Sequence, residues 1–133
     1  MNESAKKSST SHHVSGAPKP MGLYPHSRTA GNLLFLSGIG PRNPQTNEVP
    51  SGIEAQCHAV FKNVRTVLES SGARWDQLID VTVFLTDIEN NFDLYNEVYR
   101  QYFQENPPCR TTLGVTGLPS PIDIELKCVA WLD

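Results

Sequence analysis

Two charged residues near the C-terminal end stand where strand patterns would hold them in fixed positions. Arg110 lies in Pro107-Pro-Cys-Arg-Thr-Thr-Leu113, directly after two prolines that a helix does not continue through. Glu125 lies in a run where apolar Ile122, Ile124, Leu126, Cys128, Ala130 and Leu132 alternate with polar Asp123, Glu125 and Lys127. That alternation puts Glu125 on the face opposite the strand's core residues. If the two strands pair, a guanidinium and a carboxylate line one cleft. A guanidinium grips a carboxylate through a two-bond fork, and a carboxylate side chain orients and deprotonates water. The pair suits a small anionic substrate and a water molecule. The same residue types also make an ordinary structural ion pair.

The rest of the chain supplies the elements that must position them. Tyr24 begins an extended segment that reaches a turn at Ala30-Gly31-Asn32, and Leu33-Leu34-Phe35-Leu36 reads as a buried strand, so a β-hairpin is expected. Ser37-Gly38-Ile39-Gly40-Pro41 ends it, with glycines that allow close approach of a ligand or of a neighbouring element. Ile53, Cys57, Val60, Phe61, Val64, Val67 and Leu68 recur at spacings of three and four, a helix stopped by Ser70-Ser71-Gly72. Glu54, Gln56, Lys62, Arg65 and Glu69 read as its solvated side, with His58 among them. Ile79, Val81, Val83 and Leu85 mark a strand, and Phe92, Tyr95, Val98, Tyr99, Tyr102 and Phe103 mark a second helix whose aromatic stripe is core material and which also carries Asn96. The order is β-β-α-β-α-β-β, an α+β domain with two helices on one face of a mixed sheet. Phe84, Val129 and Trp131 are left for the other face, and self-association is the economical way to cover them.

With 133 residues the chain makes one domain, residues 21–133, preceded by a flexible or loosely docked arm over 1–20 that is rich in Ser, Lys, His, Gly and Pro. His12-His13 on that arm is a poor basis for a specific metal site. The net charge of −3 argues against nucleic acid as a partner. No apolar run reaches the ~18 residues of a membrane span. The N-terminal residues lack the apolar core of a signal peptide. Three separated cysteines, Cys57, Cys109 and Cys128, fit reduced thiols, and a cytoplasmic location is expected. No phosphate-binding loop, dinucleotide fingerprint or metal motif is present, and no nucleophile stands with a base. What remains is a cofactor-free, metal-free site built from Arg110, Glu125, Tyr24, the Ser37-Gly38 strand end, Asn96 and nearby hydroxyls.

The run Pro108-Cys-Arg-Thr-Thr-Leu-Gly-Val-Thr-Gly-Leu118 with the later Ile-Glu-Leu126 resembles the C-terminal signature of the RidA/YjgF family of enamine/imine deaminases. Asn32-Leu-Leu-Phe-Leu-Ser-Gly38, Val-Phe-Leu-Thr-Asp87 and Tyr-Asn-Glu-Val-Tyr99 resemble its other blocks in the same order, over roughly residues 22–133. The resemblance implies a chorismate-mutase-like domain, a homotrimer with clefts between subunits, and hydrolysis of an enamine or imine carboxylate to a 2-oxo acid and ammonia. It implies that Arg110 binds the substrate carboxylate, that Glu125 handles water, and that Tyr24, Ser37, Gly38, Asn96 and Thr112 line the cleft. Thr112 stands where the member acting on aminoacrylate usually has cysteine, while Cys109 precedes the arginine. His12-His-Val, Lys19-Pro, Pro25-His26-Ser and Ser37-Gly-Ile-Gly-Pro-Arg-Asn-Pro44 are similar to the 2-aminomuconate deaminase branch. That branch implies conversion of 2-aminomuconate to 4-oxalocrotonate, with Arg42 and His26 as candidates for the second carboxylate. A general 2-iminopropanoate or 2-aminoacrylate deaminase, and a non-catalytic carboxylate-binding or RNA-acting protein, are the alternatives.

Overall fold

Apolar spacing and turn chemistry set the elements. The computed structural model describes residues 9–133. Its strands are β1 (Ser11–His12), β2 (Ser27–Ala30), β3 (Leu33–Leu36), β4 (Leu78–Thr86), β5 (Cys109–Val115) and β6 (Ile124–Trp131). Its helices are α1 (Ile53–Ser70) and α2 (Ile88–Tyr102), with a 3-10 turn at Trp75–Gln77. Gly31 takes a positive φ of 60° in the tight turn that pairs Ala30 with Leu33, so β2 and β3 form the expected hairpin. Both helices lie on one face of the sheet, an α+β fold as the pattern predicts. The apolar stripe of α1 packs on Leu34, Leu126, Cys128 and Ala130 in a core of buried side chains. No helix of the described residues is long and apolar enough to cross a membrane.

The strand order β1-β2-β3-β6-β4-β5 corrects one expectation. The strands of Arg110 and Glu125 do not pair, because β4 lies between them. The chain leaves β4 through α2 and returns as β5 in parallel on the outer edge, while β6 runs antiparallel to β4 on the other side. Val81 of β4 stands level with Arg110 and Cys128, and Phe84 stands level with Leu113 and Glu125. The two charged residues are thus one strand apart, on different rungs and on opposite faces. Arg110, Thr112 and Gly114 turn toward α2, where they meet Asn96, Tyr95 and Ile88. Glu125 alternates with the buried Ile124 and Leu126 and so belongs to the open face.

That open face carries an apolar patch beside Glu125 and Lys127. Phe35, Leu113 and Trp131 are exposed on it, and Phe84 and Val129 are half-buried. Burying such a surface is favourable at about 25 cal/mol per Å².

One further residue differs from expectation, and the arm takes one of its two expected forms. Gln56 belongs to the interior: its Nε2 donates to Pro50 O (3.1 Å) and Asp123 Oδ2 (3.2 Å), and its Oε1 accepts from Asp123 N–H (2.7 Å). Thr86 Oγ1 donates to the same carboxylate at 2.7 Å, which ties the start of β6, and so Glu125, to α1 and β4. The described part of the arm is docked. Its Val14 and Ala17 are buried, and His26 clasps it: Val14 N–H donates to His26 Nδ1 (2.9 Å) and Nε2 donates to Pro18 O (2.7 Å). Backbone groups with no other partner give the arm its fixed path where composition alone offers little to bury. Residues 1–8 of the expected arm lie outside the described residues.

Candidate functional site

Glu125 is held against the end of β3. Ile39 and Leu126 exchange backbone hydrogen bonds of 2.8 and 2.9 Å, which brings Gly38 beneath the Glu125 side chain. A Cβ at Gly38 would stand 2.8 Å from Glu125 Oε2, so glycine here is what lets the carboxylate approach the backbone. Burial pushes the Glu125 carboxyl above its ordinary range, as desolvation disfavours the ionised form. A carboxylate so displaced takes up a proton at higher pH than a free one, which suits a group that accepts and returns a proton.

A pocket opens beside it. Tyr24, His26, Ser37, Gly38, Arg42 and Glu125, six of the residues expected at the site, line this one cavity. Ser37 Oγ donates to Pro25 O at 2.7 Å, and the Tyr24 hydroxyl accepts from Met21 N–H at 3.0 Å. Arg42 stands at the rim. Its Nε and Nη2 donate to Ser120 Oγ (3.3 and 3.0 Å) and its Nη1 to Asn47 O (2.6 Å). Among the described residues it pairs with no carboxylate. His26 forms wall rather than binding surface, since both ring nitrogens are engaged by backbone groups.

Arg110, Asn96 and Thr112 lie elsewhere, together. The exposed Arg110 donates from Nη1 to Asn96 Oδ1 at 2.8 Å. Its guanidinium carbon sits 4.6 Å from the Tyr99 ring centre and 5.4 Å from that of Tyr95. The Tyr95 hydroxyl shares a 2.8 Å hydrogen bond with Thr112 Oγ1. Sequence reasoning missed three groups: Lys19 and Met21 from the arm, Ser120 from the crossing before β6, and the two tyrosines as partners of Arg110. The helical spacing of 95, 96 and 99 was the available signal for the last. Among the described residues no cluster of three or more His, Cys, Asp or Glu converges as a metal site.

The chain thus carries two separate groups of candidate residues: a carboxylate in a pocket on the open side, and a presented guanidinium at the sheet edge. Gly38→Ala tests the first. The added methyl meets the tip of a flexible side chain, so the fold should persist while Glu125 is displaced. We expect kcat/KM of any turnover that uses the Glu125 carboxylate to fall by about 10–10²-fold, the scale of penalty for an ångström-scale misplacement, with the melting temperature nearly unchanged.

The endoribonuclease L-PSP family model matches residues 14–132. A RutC family protein of Pyrococcus horikoshii is 40% identical over 116 residues, covering 86% of this chain and 91% of that one. Reactive Intermediate Deaminase A, the chloroplastic protein of Arabidopsis thaliana, is 37% identical over 117 residues, covering 87% of this chain and 62% of that one. The crystal structure of the yeast protein YEO7 superposes with a TM-score of 0.90 at 34% identity, covering 94% of this chain and 99% of that chain.

Proposed function

The chain belongs to the endoribonuclease L-PSP family, which includes the RutC and RidA proteins, and on that premise we propose that it hydrolyses enamine or imine carboxylates to 2-oxo acids and ammonia. The observation that carries this is the half-buried Glu125 carboxyl, raised by burial and held over Gly38 in a pocket. The enamine takes a proton on carbon, gives one up from nitrogen and becomes an imine. Glu125 removes a proton from water as its oxygen attacks the C=N carbon and passes it to nitrogen, giving a carbinolamine; it then takes the proton of the new hydroxyl and delivers it to the amine, so that ammonia leaves as the C=O forms. Arg110 holds the α-carboxylate through its fork of N–H groups. Imines are already electrophilic, so positioning and one acid–base group suffice and no cofactor is called for.

Within one chain Arg110 and Glu125 sit on opposite faces. We therefore take the working site to be shared between copies, the Arg110 edge of one subunit meeting the Glu125 pocket of the next in a homotrimer. The exposed apolar patch supports this.

The substrate we favour is 2-aminomuconate. Arg42 supports it, a half-buried cation at the pocket rim with Lys19 nearby and no carboxylate partner among the described residues. The test is ammonia release from 2-aminomuconate and from 2-iminopropanoate generated in situ. The protein should accelerate both, the dicarboxylate more. Arg42→Ala should lower kcat/KM for the dicarboxylate about tenfold or more and leave the monocarboxylate nearly untouched. Equal losses would reassign the chain to a general imine deaminase. RNA cleavage without ammonia release would overturn the deaminase reading; the net charge of −3 opposes that outcome.

A further inference from the structure

The aromatic stripe of α2 does more than fill the core. Positions 95, 96 and 99 fall on one side of a helix. All three meet the Arg110 guanidinium: Asn96 through a hydrogen bond of 2.8 Å, Tyr99 and Tyr95 through their rings at 4.6 and 5.4 Å. The rings are themselves fixed. Tyr95 is fully buried and tied to Thr112, and Tyr99 is 8% exposed and packed against Phe103 and Tyr95. The Tyr99 hydroxyl is buried with no hydrogen-bond partner among the described residues. The phenol oxygen is therefore not what the fold uses at this position; the ring is.

We propose that Tyr99, seconded by Tyr95, is a positioning residue that holds the Arg110 cation against its ring and leaves guanidinium N–H groups open to a carboxylate. A guanidinium has five N–H donors in one plane. An aromatic ring holds the cation without an acidic partner, whereas an ion pair to an acidic residue would occupy the same fork that a substrate needs. Asn96 takes one donor and sets the rotation of the plane. This proposal rests on Arg110 being the substrate's anchor.

The test is a graded series at one position in the full-length protein: Tyr99→Phe, then 3,4,5-trifluorophenylalanine at 99, then Tyr99→Leu. Fluorination keeps the ring's shape and removes the negative charge of its face. The readouts are the Kd of pyruvate, KM and kcat for imine hydrolysis, and the melting temperature. Tyr99→Phe should leave Kd within about twofold and not lower the melting temperature, since it removes an unpaired hydroxyl. The trifluoro ring should raise Kd and KM by roughly three- to tenfold at unchanged kcat, and Tyr99→Leu at least as much. Equal affinity for Phe and the trifluoro ring would overturn the proposal, because shape alone would then explain Tyr99. That comparison stands even if Tyr99→Leu fails to fold. Arg110→Lys run alongside separates the two claims. If it leaves pyruvate affinity intact, the anchor reading fails and the tyrosine proposal with it. If it abolishes affinity while the fluorinated ring does nothing, only the tyrosine proposal fails.

Discussion

Glu125→Gln should slow imine hydrolysis at saturating substrate by about 10²–10⁴-fold while 2-oxo acid affinity stays within about twofold. The amide has the same shape and cannot take a proton from water. The pH dependence gives a second handle. Burial raises the Glu125 carboxyl's pKa, so the base form is lost as pH falls through a value above the ordinary carboxylate range. The kcat/KM of the native protein should therefore rise with pH through that raised value, and the variant should lack this limb. Stability runs the opposite way to activity. A folded-state pKa above the unfolded one means the folded state binds the proton more tightly, so the native protein loses stability as pH rises between the two values. Glu125→Gln should not show that loss. Unchanged turnover in a folded variant would return Glu125 to a purely structural role.

Arg110→Lys carries the other large effect. Lysine offers three donors from a point charge in place of a planar fork, and it stacks less well on Tyr99. Binding of an unreactive 2-oxo acid should weaken by roughly 2–5 kcal/mol, because a substrate carboxylate would be left poorly paired in the closed site. KM for the imine should rise with it. Arg110 is exposed in the single chain and forms no ion pair there among the described residues, so the melting temperature should change little. A structural ion pair would give the reverse: lowered stability with affinity intact.

Much of this was legible from the chain. The helices announced themselves through apolar residues at spacings of three and four, and the hairpin through Ala30-Gly31-Asn32. Glu125 fell on the correct face because alternation along one strand is local information. Strand order is not local. Arg110 and Glu125 looked like neighbours because their strands follow one another in sequence, yet the parallel return through α2 puts β4 between them. Gln56 and His26 were hidden for a related reason. Each is buried by hydrogen bonds to distant backbone, from Pro50 and Asp123 in one case and Val14 and Pro18 in the other, and no periodic pattern records such partners. The Tyr95–Tyr99 stripe was visible, but its second role appears only once Arg110 is seen lying against it.

The claim on which the rest depends is that Arg110 and Glu125 of different copies make one site, and mixing two inactive variants tests it directly. Arg110→Lys and Glu125→Gln would each be purified, shown to lack activity at substrate concentrations near the native KM, unfolded together in equal amounts and refolded. If each site takes its arginine from one subunit and its glutamate from the next, random assembly restores roughly a quarter of the native sites. Ammonia release should then recover to about a quarter of the native rate per site. A site contained within one chain has no intact copy in any mixture, so a refolded, correctly assembled mixture with no more activity than either variant alone would contradict the account.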